Sequence, residues 1–236
     1  MCGILAVIGK QDPQTCRELA GRMKHRGPDE RDMHIDATGS ILCHERLSII
    51  DLNTGKQPIK GTHTAWVIHN GEIYNHQHLR NTVLKHHTFH TTCDSEVIVH
   101  LYEEFGFDFC NMLDGDFAFV VLDGDKFVAG RDPIGVKPMY YGKDAEGRLY
   151  FASEMKSLAD RCTEFSAFPP GHYYTSEHGL QQYYHPAWHM AEKCTQRADL
   201  SLIQDALINA TRKRLMSDRQ RQQHIAAYLH RFPKAM

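Results

Sequence analysis

Met1-Cys2-Gly3-Ile4-Leu5-Ala6-Val7-Ile8 opens the chain: a thiol behind the initiator methionine, then an unbroken apolar run closed by Gly9. The run reads as a buried opening strand. A second residue as small as Cys permits removal of Met1, which would leave thiol and α-amine on one residue. The thiolate is the attacking form of cysteine. A terminal amine titrates near roughly 8, against roughly 10 for lysine, so much more of it is a neutral base near pH 7. That pairing is the N-terminal variant of nucleophilic catalysis. Cys2 also reads as an ordinary small core residue at the start of a strand, and the rest of the chain has to separate the two readings.

With 236 residues, 42% of them hydrophobic, the chain has material for one large domain or two modest ones. A formal net charge of −2 gives no nucleic-acid or membrane surface. No apolar stretch reaches the ~18 residues of a membrane span, and no signal peptide opens the sequence. Seven cysteines without a CxxC pair point to reduced thiols and a cytoplasmic location.

Working outward, Asp12-Pro13 predicts a helix start, followed by Cys16, Leu19, Ala20 and Met23 on one stripe until Gly27-Pro28. Ile41 to Asp51 is a strand candidate carrying His44, Glu45 and Arg46. Ala65 to His69 is another, running into Asn70-Gly71, a strong turn signal. Asn75 can cap a short helix, and Asp94 or Ser95 a second one bearing Val97, Ile98, Leu101, Tyr102 and Phe105, ended by Gly106. Phe117 to Leu122 is apolar throughout, as suits a strand covered on both faces. Asp123-Gly124-Asp125 turns it into Lys126 to Gly130. Further pairs are expected at 139–142 with 149–152 and at 173–175 with 182–184. The polar stretch Ala187 to Ala198 reads as a boundary. Beyond it Ser201 can cap a helix with Leu202, Ile203, Ala206, Leu207 and Ala210 on one face. The pattern is α+β with many hairpins and no βαβ repeat.

Six stretches stand in order: Met1-Cys2-Gly3-Ile4, His25-Arg26-Gly27-Pro28-Asp29, Arg46 to Asp51, Asn70-Gly71-Glu72-Ile73-Tyr74-Asn75, Cys93-Asp94-Ser95-Glu96, and Gly130-Arg131-Asp132-Pro133-Ile134-Gly135. Together they resemble the class II glutamine amidotransferases, and within them the glutaminase domain of glutamine-dependent asparagine synthetase. The resemblance implies the four-layer αββα sandwich of N-terminal nucleophile hydrolases and glutamine as substrate. It implies Cys2 as nucleophile, with Asn70 (side-chain amide) and Gly71 (backbone N–H) as the oxyanion hole. It further implies Arg46 on glutamine's α-carboxylate, Asp94 on its α-ammonium, and Ile50 and Glu72 as further substrate contacts. Arg131 and Asp132 would be scaffold. Read without the resemblance, Asn70-Gly71 is a hairpin turn, Arg46 a surface strand residue and Asp94 a helix cap.

His86, His87, His90 and Cys93 have spacings a metal could use, but they straddle a helix end and a strand, and no metal site is assigned to them. The resemblance implies a second, ATP-dependent domain with a Ser-Gly-Gly-x-Asp-Ser loop. Arg219 to His224 stands where that loop is expected, and no glycine follows Gly179. The expected organisation is therefore a glutaminase domain over 1–190 and, over 196–236, the start of a truncated synthetase domain with a divergent tail. ATP and magnesium would belong to the missing part, so no cofactor is expected here. A separate synthetase subunit or a homodimer is the expected partner. The competing reading is a non-catalytic, partner-binding fragment, or an amidotransferase domain serving another ammonia acceptor.

Overall fold

The computed structural model describes residues 1–186, Trp188 and residues 199–216. Among the described residues twelve strands form two six-stranded sheets in which every pairing is antiparallel. The first contains β1 (Gly3–Ile8), β2 (Glu30–Ile35), β3 (Ile41–Arg46), β8 (Tyr140–Lys143), β9 (Leu149–Ala152) and β10 (Glu164–Ala167), in the spatial order β10-β8-β9-β1-β3-β2. The second contains β4 (Ile59–Lys60), β5 (Trp66–Ile73), β6 (Gly115–Asp123), β7 (Lys126–Arg131), β11 (His172–Thr175) and β12 (Gly179–Gln182), ordered β12-β11-β7-β6-β5-β4.

Strand alternation assigns each apolar residue to a layer. From β1, Ile4 and Ala6 join Leu42, Ile68, Ala118, Val120 and Leu122 in a core between the sheets. Leu5 and Val7 face the other way, onto Cys16, Leu19 and Ala20 of α1 (Pro13–Gly21). From β6, Phe117, Phe119 and Val121 pack with Val97, Ile98 and Leu101 of α3 (Glu96–Phe105) and with Leu79 of α2 (His76–Asn81). Two sheets back to back with helices outside both make the expected αββα sandwich. Each fully buried side chain of this kind contributes roughly 1.5–3 kcal/mol of transfer free energy, so three such cores hold the layers together.

The caps are as predicted at two helices. Asp12 accepts the Thr15 amide at 2.8 Å to start α1, and Gly106 ends α3 at φ +62°. The two-residue turn between β6 and β7 is in place. Asn70-Gly71 is not a turn: β5 runs through it to Ile73, in register with β6. Gly71 is there because a Cβ would lie 2.1 Å from the Asp116 carbonyl oxygen and 2.6 Å from His69 Nε2. The last hairpin pairs 172–175 with 179–182, two to three residues earlier on its second strand than predicted.

A final helix, α4 (Leu200–Lys213), is capped by Asp199, which accepts the Ser201 amide, and not by Ser201 itself. Its predicted apolar face is bare: Leu202 is 66% and Leu207 64% exposed. Lys213 on Asp114, Arg214 on Asp116, and Arg214 over the Tyr74 ring tie its end to the body. The expected boundary at 187–198 (Trp188 apart) and the tail Arg219 to Met236 lie outside the described residues. Among the described residues no helix is long and apolar enough to cross a membrane.

Candidate active site

The same alternation that builds the core between the sheets delivers four polar side chains to one end of it. Cys2 has the parity of Ile4, Asn70 that of Ile68, and His44 and Arg46 that of Leu42. A pocket opens there, lined by Cys2, Arg46, Ile50, Gly71, Glu72 and Asp94 among others. Six of the seven residues expected from the sequence therefore share one cavity. The seventh, Asn70, is buried beside Gly71 on β5.

The Cys2 sulfur sits against one residue of backbone, 3.4 Å from the Leu47 amide that donates to it and 3.6 Å from the Leu47 carbonyl. Arg26 donates to the Cys2 carbonyl at 2.9 Å and pairs with Glu154 at 3.2 Å. Asp29 accepts the Ser48 amide at 2.8 Å, and Gly27 lets this turn lie on β3, because a Cβ would sit 2.1 Å from the Glu45 carbonyl oxygen. The His25 to Asp29 motif thus positions both Cys2 and the segment that cradles its sulfur. Burial pushes the thiol pKa up, while the Leu47 amide, the terminal ammonium and Arg46 pull it down; burial wins.

The direction of the Gly71 N–H follows from strand geometry. Phe117 of β6 turns its backbone toward Asp132 and away from β5: its carbonyl accepts the Asp132 amide at 2.8 Å and its amide donates to the Asp132 carboxylate at 3.3 Å. Its partner Gly71 is therefore a non-bonded pair, and the N–H groups of His69, Gly71 and Ile73 all point away from β6. Gln57 Oε1 accepts that of His69 at 2.6 Å and Asp94 Oδ2 that of Ile73 at 2.7 Å. The Gly71 N–H lies between them and faces the pocket. Asn70 Nδ2 is buried without a hydrogen-bond partner, an arrangement that costs folding free energy unless a ligand oxygen uses the donor.

Arg46 is buried, not a surface residue. Its guanidinium reaches Glu30 at 2.6 Å and the Asp51 carbonyl at 2.5 Å. Asp51, at φ +51°, ties the loop over the pocket. Its carboxylate takes the amides of Thr54 (2.8 Å) and Thr92 (2.7 Å) and the Thr54 hydroxyl. Burial alone would raise its pKa, but these donors outweigh burial and hold it at about 2. Glu72 lies 3.9 Å from the buried ammonium of Lys137, which the Asp132 carboxylate places by gripping the amides of Ile134, Val136 and Lys137. Arg131 likewise donates to the carbonyls of Lys137, Phe168 and Gly135. The Arg131-Asp132 scaffold thus grips backbone with both side chains.

Asp94 is 3% exposed, and burial raises its pKa to about 6 despite the Ile73 amide, with Glu72 adding to the shift. A cation docking on it would restore the charge, so an ammonium-bearing ligand is expected to bind less well as pH falls through about 6. The sign for stability is opposite to the usual carboxylate case. A folded pKa above the ordinary carboxylate value means stability is full below pH ~4 and is lost as pH rises toward 6. Asp94→Asn should therefore raise stability at neutral pH by roughly 2 kcal/mol while abolishing the acid limb of ligand binding. Melting curves and a pH series of KM or Kd check both; an unchanged acid limb would assign it elsewhere.

The floor of the pocket was not evident from the residues alone. Gln57, Ser95 and His69 form a chain: Gln57 Nε2 donates to Ser95 Oγ at 3.2 Å, and Ser95 Oγ lies 2.8 Å from His69 Nδ1. Burial, with Lys137 and His44, lowers the His69 pKa to about 3 and keeps the ring neutral. Ser95 stands in the Cys93-Asp94-Ser95-Glu96 stretch and His69 ends a predicted strand, but neither position announces this chain.

A family model for the glutamine amidotransferase domain matches residues 1–220. Asparagine synthetase [glutamine-hydrolyzing] 2 of Arabidopsis thaliana is 48% identical over 227 residues, 92% of this chain and 39% of that protein. The probable asparagine synthetase of Dictyostelium discoideum is 42% identical over 92% of this chain and 42% of its own length. The chain thus spans about two fifths of these relatives. Among solved structures, the allosteric regulatory enzyme of purine biosynthesis superposes with a TM-score of 0.68 at 18% identity, covering 78% of this chain and 50% of that one. The glutamine phosphoribosylpyrophosphate amidotransferase of B. subtilis gives 0.65, also at 18% identity, with the same coverage of both chains. These two likenesses establish the fold.

Proposed function

The chain belongs to the glutamine amidotransferase domain family, and on that premise we propose that it hydrolyses glutamine to glutamate and ammonia as the glutaminase part of an asparagine synthetase. The observation carrying this reading is the convergence of Cys2, Arg46, Gly71, Glu72 and Asp94 on one pocket, with the Asn70 amide unpaired beside it.

The residues divide the chemistry as follows. Asp94 takes the α-ammonium of glutamine, and Arg46 shares its guanidinium between Glu30 and the α-carboxylate. Ile50 and Glu72 border the substrate's stem. With Met1 removed, the α-amine of Cys2 accepts the thiol proton, and the sulfur attacks the side-chain amide carbon. Asn70 Nδ2 and the Gly71 N–H receive the oxyanion. The ammonium returns its proton to the departing nitrogen, ammonia leaves, and a γ-glutamyl thioester remains. Water then cleaves the thioester, yielding glutamate and the free thiol.

Ammonia made here would serve a synthetase part that activates aspartate with ATP and magnesium, carried on a further domain or a separate subunit. The bare face of α4, beginning at Leu202, is a surface of the kind such a part covers. Met1 is 52% exposed and so open to removal. An intact mass lower by one methionine, together with ammonia released stoichiometrically with glutamate, is the expected result. A chain that has lost Met1, is folded, and still releases no ammonia from glutamine would overturn the proposal.

A further inference from the structure

On the flank of α3, two turns beyond Asp94, a second polar cluster takes no part in the proposed reaction. His100 and Glu103 stand at i and i+3 on one face of the helix, with His100 Nδ1 3.1 Å from Glu103 Oε2. His87, from the turn after α2, brings its Nδ1 to 4.0 Å from the same oxygen. Thr62, in the loop joining β4 to β5, puts its hydroxyl 3.3 Å from His87 Nδ1 and 3.4 Å from His100 Nδ1. Donors at about 2.0–2.1 Å around a tetrahedral zinc ion stand roughly 3.3 Å apart, which three of these four separations already approach. The fourth must shorten by less than an ångström, and the donor atoms of His87, His100 and Glu103 all lie within 4.8 Å of one another.

The groups behind the cluster have the form such a site needs. Metal-bound imidazoles commonly donate their other ring N–H to a carboxylate. His87 Nε2 lies 2.8 Å from Glu104 Oε1, and His100 Nε2 lies 3.5 Å from Glu96 Oε1. The latter nitrogen is buried and makes no hydrogen bond as it stands. Glu103 is held in turn by the amides of Thr62 at 3.1 Å and His63 at 2.8 Å. Gly61 lets the loop close on it, since a Cβ there would be 2.4 Å from Glu103 Oε1. The His100 side chain is fully buried and that of Glu103 is 5% exposed, so the carboxylate is poorly solvated and a bound cation would compensate its buried charge.

We propose that His87 Nδ1, His100 Nδ1 and Glu103 Oε2, with Thr62 Oγ1 at the fourth corner, bind one zinc-class divalent cation that clasps α3 to the β4–β5 loop and the turn after α2. Imidazole and carboxylate donors suit zinc better than calcium or magnesium. Both rings carry their remaining proton on Nε2, facing Glu104 and Glu96. The set shares only His87 with the spacings singled out in the sequence: His86 and His90 are exposed, and Cys93 is buried beside Asp94.

The test uses the whole chain. Equilibrium dialysis against zinc is expected to give one equivalent bound, with a melting temperature that rises with zinc concentration. Cobalt substitution should give visible d–d bands without the near-ultraviolet thiolate charge-transfer band, separating this site from Cys2. His87→Gln, which keeps a polar side chain of similar reach, should fold normally and lose at least tenfold in affinity; His100→Asn should lose more; His90→Gln should change nothing. No binding, binding unaltered by His87→Gln, or a thiolate band from the bound cobalt would each overturn the proposal. None of these readouts depends on glutamine hydrolysis.

Discussion

Cys2→Ala is expected to lower kcat for glutamine hydrolysis by a factor on the order of 10⁶, the scale on which removing a covalent nucleophile acts in other hydrolases. The substitution isolates the sulfur. Alanine is also small, so Met1 is still removed and the α-amine stays in place. The proposed oxyanion donors and the proposed Arg46 and Asp94 clamp are untouched. The fold has little to lose, because the thiol's hydrogen bonds go to the Leu47 backbone, at sulfur distances of 3.4 and 3.6 Å. Glutamine should still bind, with a Kd near the wild-type KM where chemistry is slow relative to dissociation. What remains is a pocket that holds substrate and can offer water general-base assistance and the proposed oxyanion donors, but no nucleophile. Ammonia release at the wild-type rate from Cys2→Ala would end the covalent mechanism. Loss of glutamine binding in calorimetry would instead mean that the sulfur is needed to shape the pocket.

How far the residues alone led can be judged element by element. The β6 segment from Phe117 to Leu122 was legible because covering on both faces leaves an unbroken apolar run, and both its cores exist. Asn70-Gly71 misled for a physical reason. Its glycine answers a close approach by the Asp116 carbonyl, whereas turn statistics attach the same dipeptide to a reversal of direction. β2 and β10 are sheet edges whose residues are mostly solvated, so Glu30 to Ile35 and Glu164 to Ala167 carry no burial signal. The aromatics at 183 and 184 pointed to a strand that ends at Gln182. Tyr183 is buried for another purpose, packing on the α3 side and donating its hydroxyl to the Arg131 carbonyl at 2.8 Å.

At the site, residues with distinctive chemistry were legible: a thiol beside a potential terminal amine, a fork-shaped cation and an acidic residue, matched in order to a family pattern. Their supports were not. Arg26 acts on a backbone carbonyl, Asp51 on backbone amides, and Gln57, Ser95 and His69 on one another across 12 to 38 positions. Such contacts leave no spacing to read, because the sandwich and not the local chain brings them together.

Asn70→Ala is expected to lower kcat by roughly 10²–10³-fold, the usual result of removing one oxyanion donor, and to leave KM close to wild type. The resting protein carries a mismatch at this residue. Asn70 is 1% exposed and its Nδ2 has no partner, yet an unsatisfied buried amide costs about 1–3 kcal/mol. A residue selected only for packing at this position, in line with Ile68 between the sheets, would be apolar. The alanine variant should therefore melt at or above the wild-type temperature, since it removes the unpaired donor and leaves the β5–β6 ladder intact. Activity and stability then move in opposite directions, as expected of a group whose hydrogen bond forms only when charge develops on substrate. If kcat were unchanged and KM raised, Asn70 would be binding ground state and transition state alike, and the Gly71 N–H would be left as the sole assigned oxyanion donor.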